Sequence, residues 1–505
     1  MTANTGRVAL RAGIPPFYVM DVWLAAAERQ RTHGDLVNLS AGQPSAQAPA
    51  PVRAAAAQAL AGHNLGYTVA LGIPQLRGVA IGLQLIRGRH ADDSAPGTVS
   101  QFQALSTALS GTIGLGNIGG VAIAIALGGP GAAFWMFVIG FFAMALKAAE
   151  VTLGLMYREF SASGEVRGGP MYTLKNGLAR LGLPNTGRKL GGLYAFFALG
   201  GALPLIQVNQ SFSQLTVITG IESTPGNGLV YGLILTIAVG IVIVGGVRSI
   251  ATVAARLVPM MCLVYLGGGA VILVANAGAI PGAFATIVSA AFSSDAVAGG
   301  ILGSFVVGMR RAVFSCEAGV GTAVIAHSAA KTHHPASEGM VALIEPLLDT
   351  MIVCTMTALI IVVTGVYNDG YTDIAMTSAA FGTVTAWFPY VLSVAVLLFA
   401  FSTLISWGYY GLQAWGYLFG HSRTSELTFK LFYCLLQPMG AVLSPGKVVD
   451  LIDSLFFLMV LPNLIGLALL AVPVRREMSG FLASVKAGTI YGKGIDDETA
   501  QPRHD

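Results

Sequence analysis

From about residue 101 onward, long apolar segments alternate with short polar ones. A membrane-spanning helix needs about 20 mostly apolar residues, and ten segments are candidates. In chain order, as predicted spans 1 to 10, they lie near residues 104–128, 131–157, 192–219, 228–247, 253–277, 298–324, 340–365, 384–410, 427–444 and 450–473. This pattern predicts an all-helical protein that crosses the membrane many times.

Composition supports this prediction. Of the 505 residues, 54% are hydrophobic and 10% are charged, whereas soluble domains are about 25% charged. The 64 glycines are typical of helices that pack closely in lipid. A formal net charge of +4 is too small for a nucleic-acid-binding surface. We therefore expect the lipid bilayer as a partner, no nucleic acid, and no obligate protein partner.

Basic residues are concentrated in the loops on one side of the predicted spans. The loop after span 2 contains Arg158, Arg167, Lys175, Arg180, Arg188 and Lys189. The opposite loops, residues 220–227, 278–297 and 366–383, contain no Lys or Arg. Because basic loops stay in the cytoplasm, we predict a multi-pass protein of the plasma (inner) membrane with both termini cytoplasmic.

Residues 1–78 contain no apolar segment of bilayer length. Their stretches VNLSAGQPS (37–45), LGYT (65–68) and GIPQLR (72–77) resemble the N-terminus of class I/II aminotransferases. No downstream segment offers the soluble cofactor domain that pyridoxal chemistry needs, so no pyridoxal phosphate is expected. We predict a truncated aminotransferase-like segment (1–78), a cytoplasmic connector (79–100), a transmembrane core (101–475) and a cytoplasmic tail (476–505).

Spans 1 and 6 carry sequences that interrupt a helix. Span 1 contains SGTIGLGNIGG (110–120), and span 6 contains GMRRAVFSCEAGVG (308–321). Each glycine weakens a helix by up to about 1 kcal/mol, and unwound backbone at membrane depth must be buried in protein or line a cavity. One interrupted helix opens each group of five spans, which predicts an inverted repeat with a binding site at the membrane midplane.

The chemistry of two breaks suits a zwitterion. The N-terminus of a half-helix offers N–H groups and positive dipole to a carboxylate, while a half-helix C-terminus offers carbonyls to an ammonium group or Na⁺. Two other interpretations of span 1 remain: glycines for close helix packing, or the G-x-G-x-x-G pattern of residues 114–119, which needs a preceding strand to bind a dinucleotide.

Residues 80–490 resemble the alanine or glycine:cation symporter family. The matching stretches are FQALSTALS (102–110), GTIGLGNIGGVAIAIALGGPGAAFWM (111–136), GGPMY (168–172), FSCEAG (314–319), AHSAAKT (326–332) and FSTLISW (401–407). The resemblance implies a LeuT-type core of five plus five helices that imports small neutral amino acids with Na⁺ or H⁺. Cys316 departs from the family motif, which has Asn there, and the aminotransferase-like segment replaces an extra N-terminal helix.

The resemblance also implies the site residues. For the substrate they are Gly114, Leu115, Gly116, Asn117, Gln207, Thr403 and Trp407. Leu115 and Gly116 would offer N–H groups to the carboxylate, and Trp407 would cap the pocket. For Na⁺ they are the carbonyls of Ser110 and Ile113, the hydroxyls of Ser402 and Thr403, and the Asn117 side chain. Hydroxyl and carbonyl oxygens are hard ligands that suit this ion.

Each of these side chains also has a structural interpretation. Asn117 is then a helix-cap amide, Gln207 makes an interhelical hydrogen bond, and Trp407 is an interfacial anchor. Ser402 and Thr403 bond back to the preceding turn.

Charged residues within spans are candidates for function. Arg310, Arg311 and Glu317 flank the span-6 break and are predicted gate residues, with structural pairing as the alternative. Lys147 and Glu150 are three residues apart and can pair on one helix face. His327, with its neighbours His333 and His334, is predicted to be a solvated loop residue.

The sequence thus predicts a secondary active transporter and not an enzyme. It would carry alanine or glycine together with Na⁺ by alternating access, since no ATP-binding loop of the Walker type is present. The alternatives are an H⁺-coupled amino-acid carrier, or an inactive fusion with a non-functional aminotransferase fragment.

Overall fold

A computed structural model of the chain describes residues 73–88, 94–162, 164–293, 300–443 and 445–490. These residues belong to one unit of the chain, which begins at Ile73. Residues 1–72 lie outside the described residues, and with them most of the aminotransferase-like segment. The first described helix crosses residue 78, the predicted end of that segment.

The described residues are almost entirely helical. The α-helices are α1 Ile73–Ile86, α2 Gln101–Thr112, α3 Val121–Gly128, α4 Gly131–Met156, α5 Pro170–Arg180, α6 Pro184–Gly201, α7 Leu205–Thr219, α8 Pro225–Val244, α9 Gly246–Ala275, α10 Ile280–Ala291, α11 Gly300–Cys316, α12 Ala323–His327, α13 Pro335–Ala342, α14 Ile344–Pro346, α15 Thr355–Thr364, α16 Asp373–Gly382, α17 Pro389–Phe419, α18 Arg423–Val442, α19 Pro445–Leu469 and α20 Ala471–Lys486.

Short elements complete this part of the chain. Gly116–Gly120 and Leu347–Cys354 are π-helical, and Ala277–Ala279 and Val366–Asn368 are 3₁₀-helical. The loop after α4 contains an antiparallel pair of two-residue strands, β1 Glu159–Phe160 and β2 Val166–Arg167.

Helices occur at the positions of all ten predicted spans. Among the described residues, seven helices are long and apolar enough to cross a membrane, and the bent pair in span 1 makes up to eight. The helices of spans 6 and 9, α11 and α18, are not among these helices, and α11 has only 17 residues. The first contains Arg310 and Arg311, and the second begins with the polar sequence RTSELTFK. The all-helical membrane fold is confirmed, and the count of ten spans stays a prediction.

The break in span 1 is present as predicted. Ser100 begins α2 with a reciprocal capping box, in which the Gln103 N–H donates to its hydroxyl and the Gln103 side chain accepts from its N–H. The helix ends at Ile113, whose backbone is extended (φ −74°, ψ 100°). The helix then resumes from Leu115 into the π-helical turn, at an angle of 53° to the first half.

The break in span 6 lies between α11 and α12. Glu317, directly after α11, has a left-handed backbone (φ 54°), and Gly319 and Gly321 also have positive φ angles. Left-handed backbone ends a right-handed helix, and glycine adopts it without steric penalty. The structure therefore confirms the second predicted interruption.

Two segments predicted as loops contain helices. In residues 278–297 and 366–383 the structure has α10 and α16. Helix α10 starts with a proline in its first turn, where the ring favours helix initiation, and α16 packs against the π-helical turn of span 1. Both are too short to cross a bilayer, which is why a search for spans passed over them.

Large apolar side chains cover the outside of the molecule. Leu263, Val274, Ile241 and Leu435 are all exposed. Soluble proteins rarely present such extensive apolar surface to water, whereas lipid tails solvate it well. The outer surface of the helices is therefore suited to a bilayer.

Candidate substrate and cation site

The two breaks line one small cavity in the interior. Its volume is about 50 Å³. Span 1 contributes Gly111, Thr112, Gly114, Leu115 and Gly116 to its lining, and span 6 contributes Phe314 and Glu317. The rest of the lining consists of Gly201, Ile206, Gln207, Thr403, Trp407, Ile452 and Phe456. The structure thus brings together the predicted substrate residues except Asn117.

Glycines in the first break allow close approach of other spans. A Cβ atom on Gly114 would lie 2.9 Å from Thr403 Oγ1, and one on Gly116 would lie 3.3 Å from the Phe314 ring. A side chain at either position would separate span 1 from spans 8 and 6. The first N–H groups of a helix have no partner within it, so those of Leu115 and Gly116 are placed at the cavity wall by the restart of the helix.

Thr403 and Trp407 lie one turn apart on α17 and both line the cavity. The Thr403 Oγ1 atom is buried and has no hydrogen-bond partner among the described residues, which is costly for a hydroxyl unless a ligand supplies one. Trp407 Nε1 donates to the Gly111 carbonyl at 3.3 Å, and its ring packs against Phe456. The tryptophan is therefore part of the pocket wall.

Ser110 and Ser402 join spans 1 and 8 beside the cavity. The Ser110 hydroxyl donates to the Ser402 carbonyl at 2.7 Å, and the Ser402 hydroxyl donates to the Ser110 carbonyl at 3.3 Å. Both side chains are fully buried. Because Thr403 is the next residue, this pair and the Thr403 hydroxyl form a set of neutral oxygens. Ile113, also buried, ends the first half of span 1 next to them.

Asn117 connects the two breaks and is not among the residues that line the cavity. Its Oδ1 accepts from the Gly114 N–H at 2.8 Å, which closes the first break. Its Nδ2 donates to Asp349 Oδ1 at 2.5 Å and to Ser315 Oγ at 3.1 Å. Asp349 also accepts from the hydroxyls of Ser315 and Thr350. Asp349 lies in span 7 and was not among the predicted site residues.

Gln207 lines the cavity, whereas its neighbour Asn209 does not. Asn209 Nδ2 donates to the carbonyls of Gly440 and Leu443 at the end of α18. Gln207 and Asn209 therefore have different surroundings, and the Asn209 amide joins α7 to the end of span 9.

The predicted gate arginines share one partner. Arg310 and Arg311 lie 3.2 and 3.4 Å from Asp453 Oδ2. Arg310 is half exposed, while Arg311 and Asp453 are largely buried. Asp453 was not predicted, although a carboxylate within apolar span 10 was a usable signal. Glu317 lies away from this group: its carboxylate accepts from the Thr322 hydroxyl and lines the cavity.

Charged residues outside the cavity have partners that the sequence did not predict, and one prediction was wrong. The Nζ of Lys147 lies 3.5 Å from Glu345 in span 7, in addition to its charge interaction with Glu150. Glu150 accepts from the Gly319 N–H and the Asn463 amide, both at 2.8 Å. His327 is not solvated but fully buried. In each case packing against another helix supplies a closer partner than the same helix or the solvent.

Sequence comparisons identify the family of the chain. The model of the sodium:alanine symporter family matches residues 52–493. The sodium/alanine symporter AgcS of Methanococcus maripaludis is 39% identical over 428 residues, which are 84% of this chain and 93% of AgcS. The probable sodium/glutamine symporter GlnT of Bacillus subtilis is 35% identical over 433 residues, 85% of this chain and 88% of GlnT.

The fold has a solved counterpart. The crystal structure of MhsT in complex with L-phenylalanine superposes with a TM-score of 0.57 at 17% identity, covering 76% of this chain and 92% of MhsT. This likeness confirms the LeuT-type fold that the family resemblance implied. The chain is therefore a member of the sodium:alanine symporter family, a cation-coupled amino-acid transporter of the membrane and not an enzyme.

Proposed function

We propose that the protein carries a small neutral amino acid of the alanine type together with Na⁺ by alternating access. One observation carries the proposal: both helix breaks and the unpaired Thr403 hydroxyl meet at a single small cavity. An ion gradient would supply the work, and the paired breaks would be the hinge regions on which the two halves of spans 1 and 6 move.

The cavity suits the two charged ends of an amino acid. The carboxylate would accept from the N–H groups of Leu115 and Gly116, at the positive end of the second half of span 1. The ammonium group would face Glu317 and the carbonyls that end the first half. This assignment gives Glu317 a role in binding, in place of the gate role expected from the sequence.

The size of the cavity favours a small side chain. A space of about 50 Å³ is enough for about three or four water molecules on this measure. Trp407, Phe314 and Phe456 form its apolar wall. A methyl group would contact these rings, and a larger side chain would have to displace them.

Sodium would bind beside the substrate, among the oxygens of Ser110, Ile113, Ser402 and Thr403. These are uncharged hard donors, which suit an alkali cation and do not titrate near neutral pH, so they favour Na⁺ over H⁺ as the coupling ion at this position. Asn117 would support the site by fixing the first break through Gly114. The names of AgcS and GlnT, both sodium symporters, support the choice of cation.

The orientation follows from the basic loops. We propose that the chain lies in the inner membrane with both termini cytoplasmic, so that the Arg310–Arg311–Asp453 group faces outward. The loop after span 2 would then be cytoplasmic.

Uptake by the purified full chain in proteoliposomes tests this function. Labelled alanine should accumulate when an inward Na⁺ gradient is imposed, and not when K⁺ replaces Na⁺. A proton gradient without Na⁺ should give no accumulation. Accumulation driven by the proton gradient alone would identify an H⁺-coupled carrier, and uptake indifferent to every gradient would identify a passive pathway; either result contradicts the proposal.

A further inference from the structure

A buried cluster of charged side chains lies away from the substrate cavity, around His327. This histidine is the last residue of α12, the half-helix that follows the second break. Its Nδ1 lies 2.6 Å from Glu338 Oε1, and its Nε2 lies 2.5 Å from Glu345 Oε1. The imidazole and both carboxylates are fully buried.

This geometry fixes a minimum number of protons. A neutral imidazole has one N–H group and one nitrogen lone pair. Between two ionised carboxylates, a neutral ring can donate to one of them, and its lone pair then faces an oxygen of the other. Both short contacts become hydrogen bonds when one further proton is present. The cluster therefore holds a proton that it can also lose.

The surrounding charges balance in the protonated form. Lys147 Nζ lies 3.5 Å from Glu345 Oε2, and Gln101 Nε2 donates to Glu338 Oε2 at 2.9 Å. Imidazolium and Lys147 together offset the two glutamates, so the buried cluster is neutral. Without the extra proton it has one net negative charge, which a buried position disfavours.

Other charged groups face the cluster at its edges. The charge of Arg158 interacts with that of Glu338, and the charges of Glu150 and Glu317 interact with that of Lys147. The remaining helices packed against α12 are α2 and α17, and neither contains a charged residue.

Arg158 joins two backbone segments beside the cluster through hydrogen bonds. Its guanidinium donates to the carbonyls of Ser328 and Ala330, both at 2.7 Å, and to those of Pro96 and Thr332 at 2.8 and 3.2 Å. These carbonyls belong to the segments that precede span 1 and follow span 6. Burial lowers the pKa of Arg158 to about 10, so the clamp stays charged at neutral pH.

A larger cavity of about 430 Å³ borders these segments on the predicted cytoplasmic side. Thr98 and Ala329 line it, and the Thr98 N–H donates to the Ala329 carbonyl at 2.8 Å. Ala329 is almost fully buried. A separation of these segments would widen the cavity and expose Ala329.

We propose that His327, Glu338, Glu345 and Lys147 form a proton-binding site that latches the second half of span 6 to spans 1, 2 and 7. The inference rests on the proposed function, in which this half-helix moves to release substrate into the cytoplasm. With the proton bound, both hydrogen bonds hold and the latch is closed. When the ring gives its proton to water of the cytoplasmic cavity, one N–H···O bond is lost and the latch opens.

Cysteine accessibility tests the latch directly. In the full chain, Ala329→Cys reports opening, and Glu165→Cys, an exposed residue at the rim of the same cavity, reports the pH dependence of thiol reactivity itself. The parent chain with its four native cysteines gives the background. Because opening requires loss of one proton, the ratio of labelling rates by a maleimide should rise about tenfold per pH unit until the open form predominates.

Two variants should change this profile in opposite directions. His327→Leu has no side-chain N–H group and cannot donate to either glutamate, so the ratio should be high and independent of pH. Glu338→Gln allows a neutral ring to donate to Glu345 and accept from the new amide, so the ratio should be low and independent of pH. His333→Gln, at an exposed histidine nearby, is the matched control and should keep the wild-type profile.

The proposal would be overturned if the ratio of labelling rates did not depend on pH in chains that carry only the reporter cysteine. It would also be overturned if the rise of this ratio with pH were unchanged in either variant. If one variant does not fold, the other decides, because each predicts loss of the slope. The assay uses neither Na⁺ nor an amino acid. A failure of sodium-driven uptake therefore leaves this result interpretable, and a failure of the latch leaves the uptake result interpretable.

Discussion

Thr403 is the residue at which the proposed substrate and sodium sites touch. Its hydroxyl is buried at the cavity wall, lies against Gly114, and has no partner among the described residues. A threonine in a helix usually bonds back to the preceding turn, as Ser402 does to Phe399. The absence of that bond at Thr403 leaves both lone pairs for a cation.

Replacing this hydroxyl should weaken sodium binding without disturbing the fold. Thr403→Val keeps the shape and removes the oxygen, and interactions with charged groups contribute about 1.5–3 kcal/mol. The Na⁺ concentration for half-maximal alanine uptake should therefore rise about 10- to 100-fold. Ser406→Ala, one turn away and bonded to the Thr107 carbonyl, is the control. Unchanged sodium dependence in Thr403→Val would contradict the assignment.

Trp407 should set the upper limit on substrate size. Trp407→Phe removes the contact with the Gly111 carbonyl and part of the ring that lines the cavity. Space for a methylene or two is worth about 1–3 kcal/mol in such pockets, so leucine should compete with alanine about tenfold better than in the wild type. Trp415→Phe, on the same helix and bonded to Ser425, should leave the competition unchanged. If leucine competed with alanine equally well in Trp407→Phe and Trp415→Phe, Trp407 would not be the residue that limits substrate size.

The sequence predicted half of the residues that line the cavity, but not the hydrogen-bond partners of individual side chains. Gly114, Thr403 and Trp407 were identified because the family motifs contain them. Asn117 was predicted to bind the substrate and Na⁺, whereas in the structure its amide forms hydrogen bonds with residues of both breaks. Its partner Asp349 is 232 residues away in the chain, and no local pattern connects residues at that separation.

At the scale of elements, the breaks were the most predictable feature. Clustered glycines and a membrane environment exclude a continuous lipid-facing helix, and the structure has interruptions at both predicted positions. Helices α10 and α16 were missed because a hydropathy criterion finds membrane spans and not short helices that pack over them. Pairings between spans, such as that of Lys147 with Glu345, depend on how each helix is rotated about its own axis. The pattern of apolar residues in a membrane span does not define this rotation.

The pairing of span 6 with span 10 should control the speed of transport. Breaking a buried ion pair on one side is strongly destabilising, and an exposed pair contributes about 0–1 kcal/mol. Asp453→Asn and Arg311→Gln should therefore lower the maximal rate of alanine uptake about tenfold or more, because the outer gate closes less often. Arg310→Gln, at the half-exposed partner, should change it less than twofold.

The kinetic pattern distinguishes a gate from a binding role. The alanine concentration for half-maximal uptake should not rise in Asp453→Asn, since Asp453 does not line the cavity. A large rise with an unchanged maximal rate would show that the aspartate acts on binding and would contradict its assignment to the gate.

At the scale of the whole molecule, charge asymmetry predicts the orientation. Glu222 and Glu165 are both exposed, and their loops are predicted to face opposite sides of the membrane. In intact cells, an impermeant thiol reagent should label Glu222→Cys, in the loop without basic residues, and should label Glu165→Cys only after the membrane is permeabilised. The parent chain provides the background from native cysteines. The reverse pattern would invert the topology and place the Arg158 clamp outside.

Domain organisation at the N-terminus stays a prediction. The family model begins at residue 52, within the segment that resembles aminotransferases. Helix α1 also runs across residue 78. The boundary between the two parts of the chain therefore needs a test of its own, such as uptake by a chain that begins at residue 73.

In the proposed function, the amino acid and Na⁺ bind at adjacent positions between the two breaks. Adjacent sites must be thermodynamically linked, and linkage is reciprocal. The decisive measurement is equilibrium binding of labelled alanine to the purified protein across a series of Na⁺ concentrations, with sodium binding measured across alanine concentrations. Each ligand should raise the affinity of the other by the same factor, at least about fivefold, and Thr403→Val should reduce this factor. Alanine affinity that does not change with Na⁺ would contradict the proposed function.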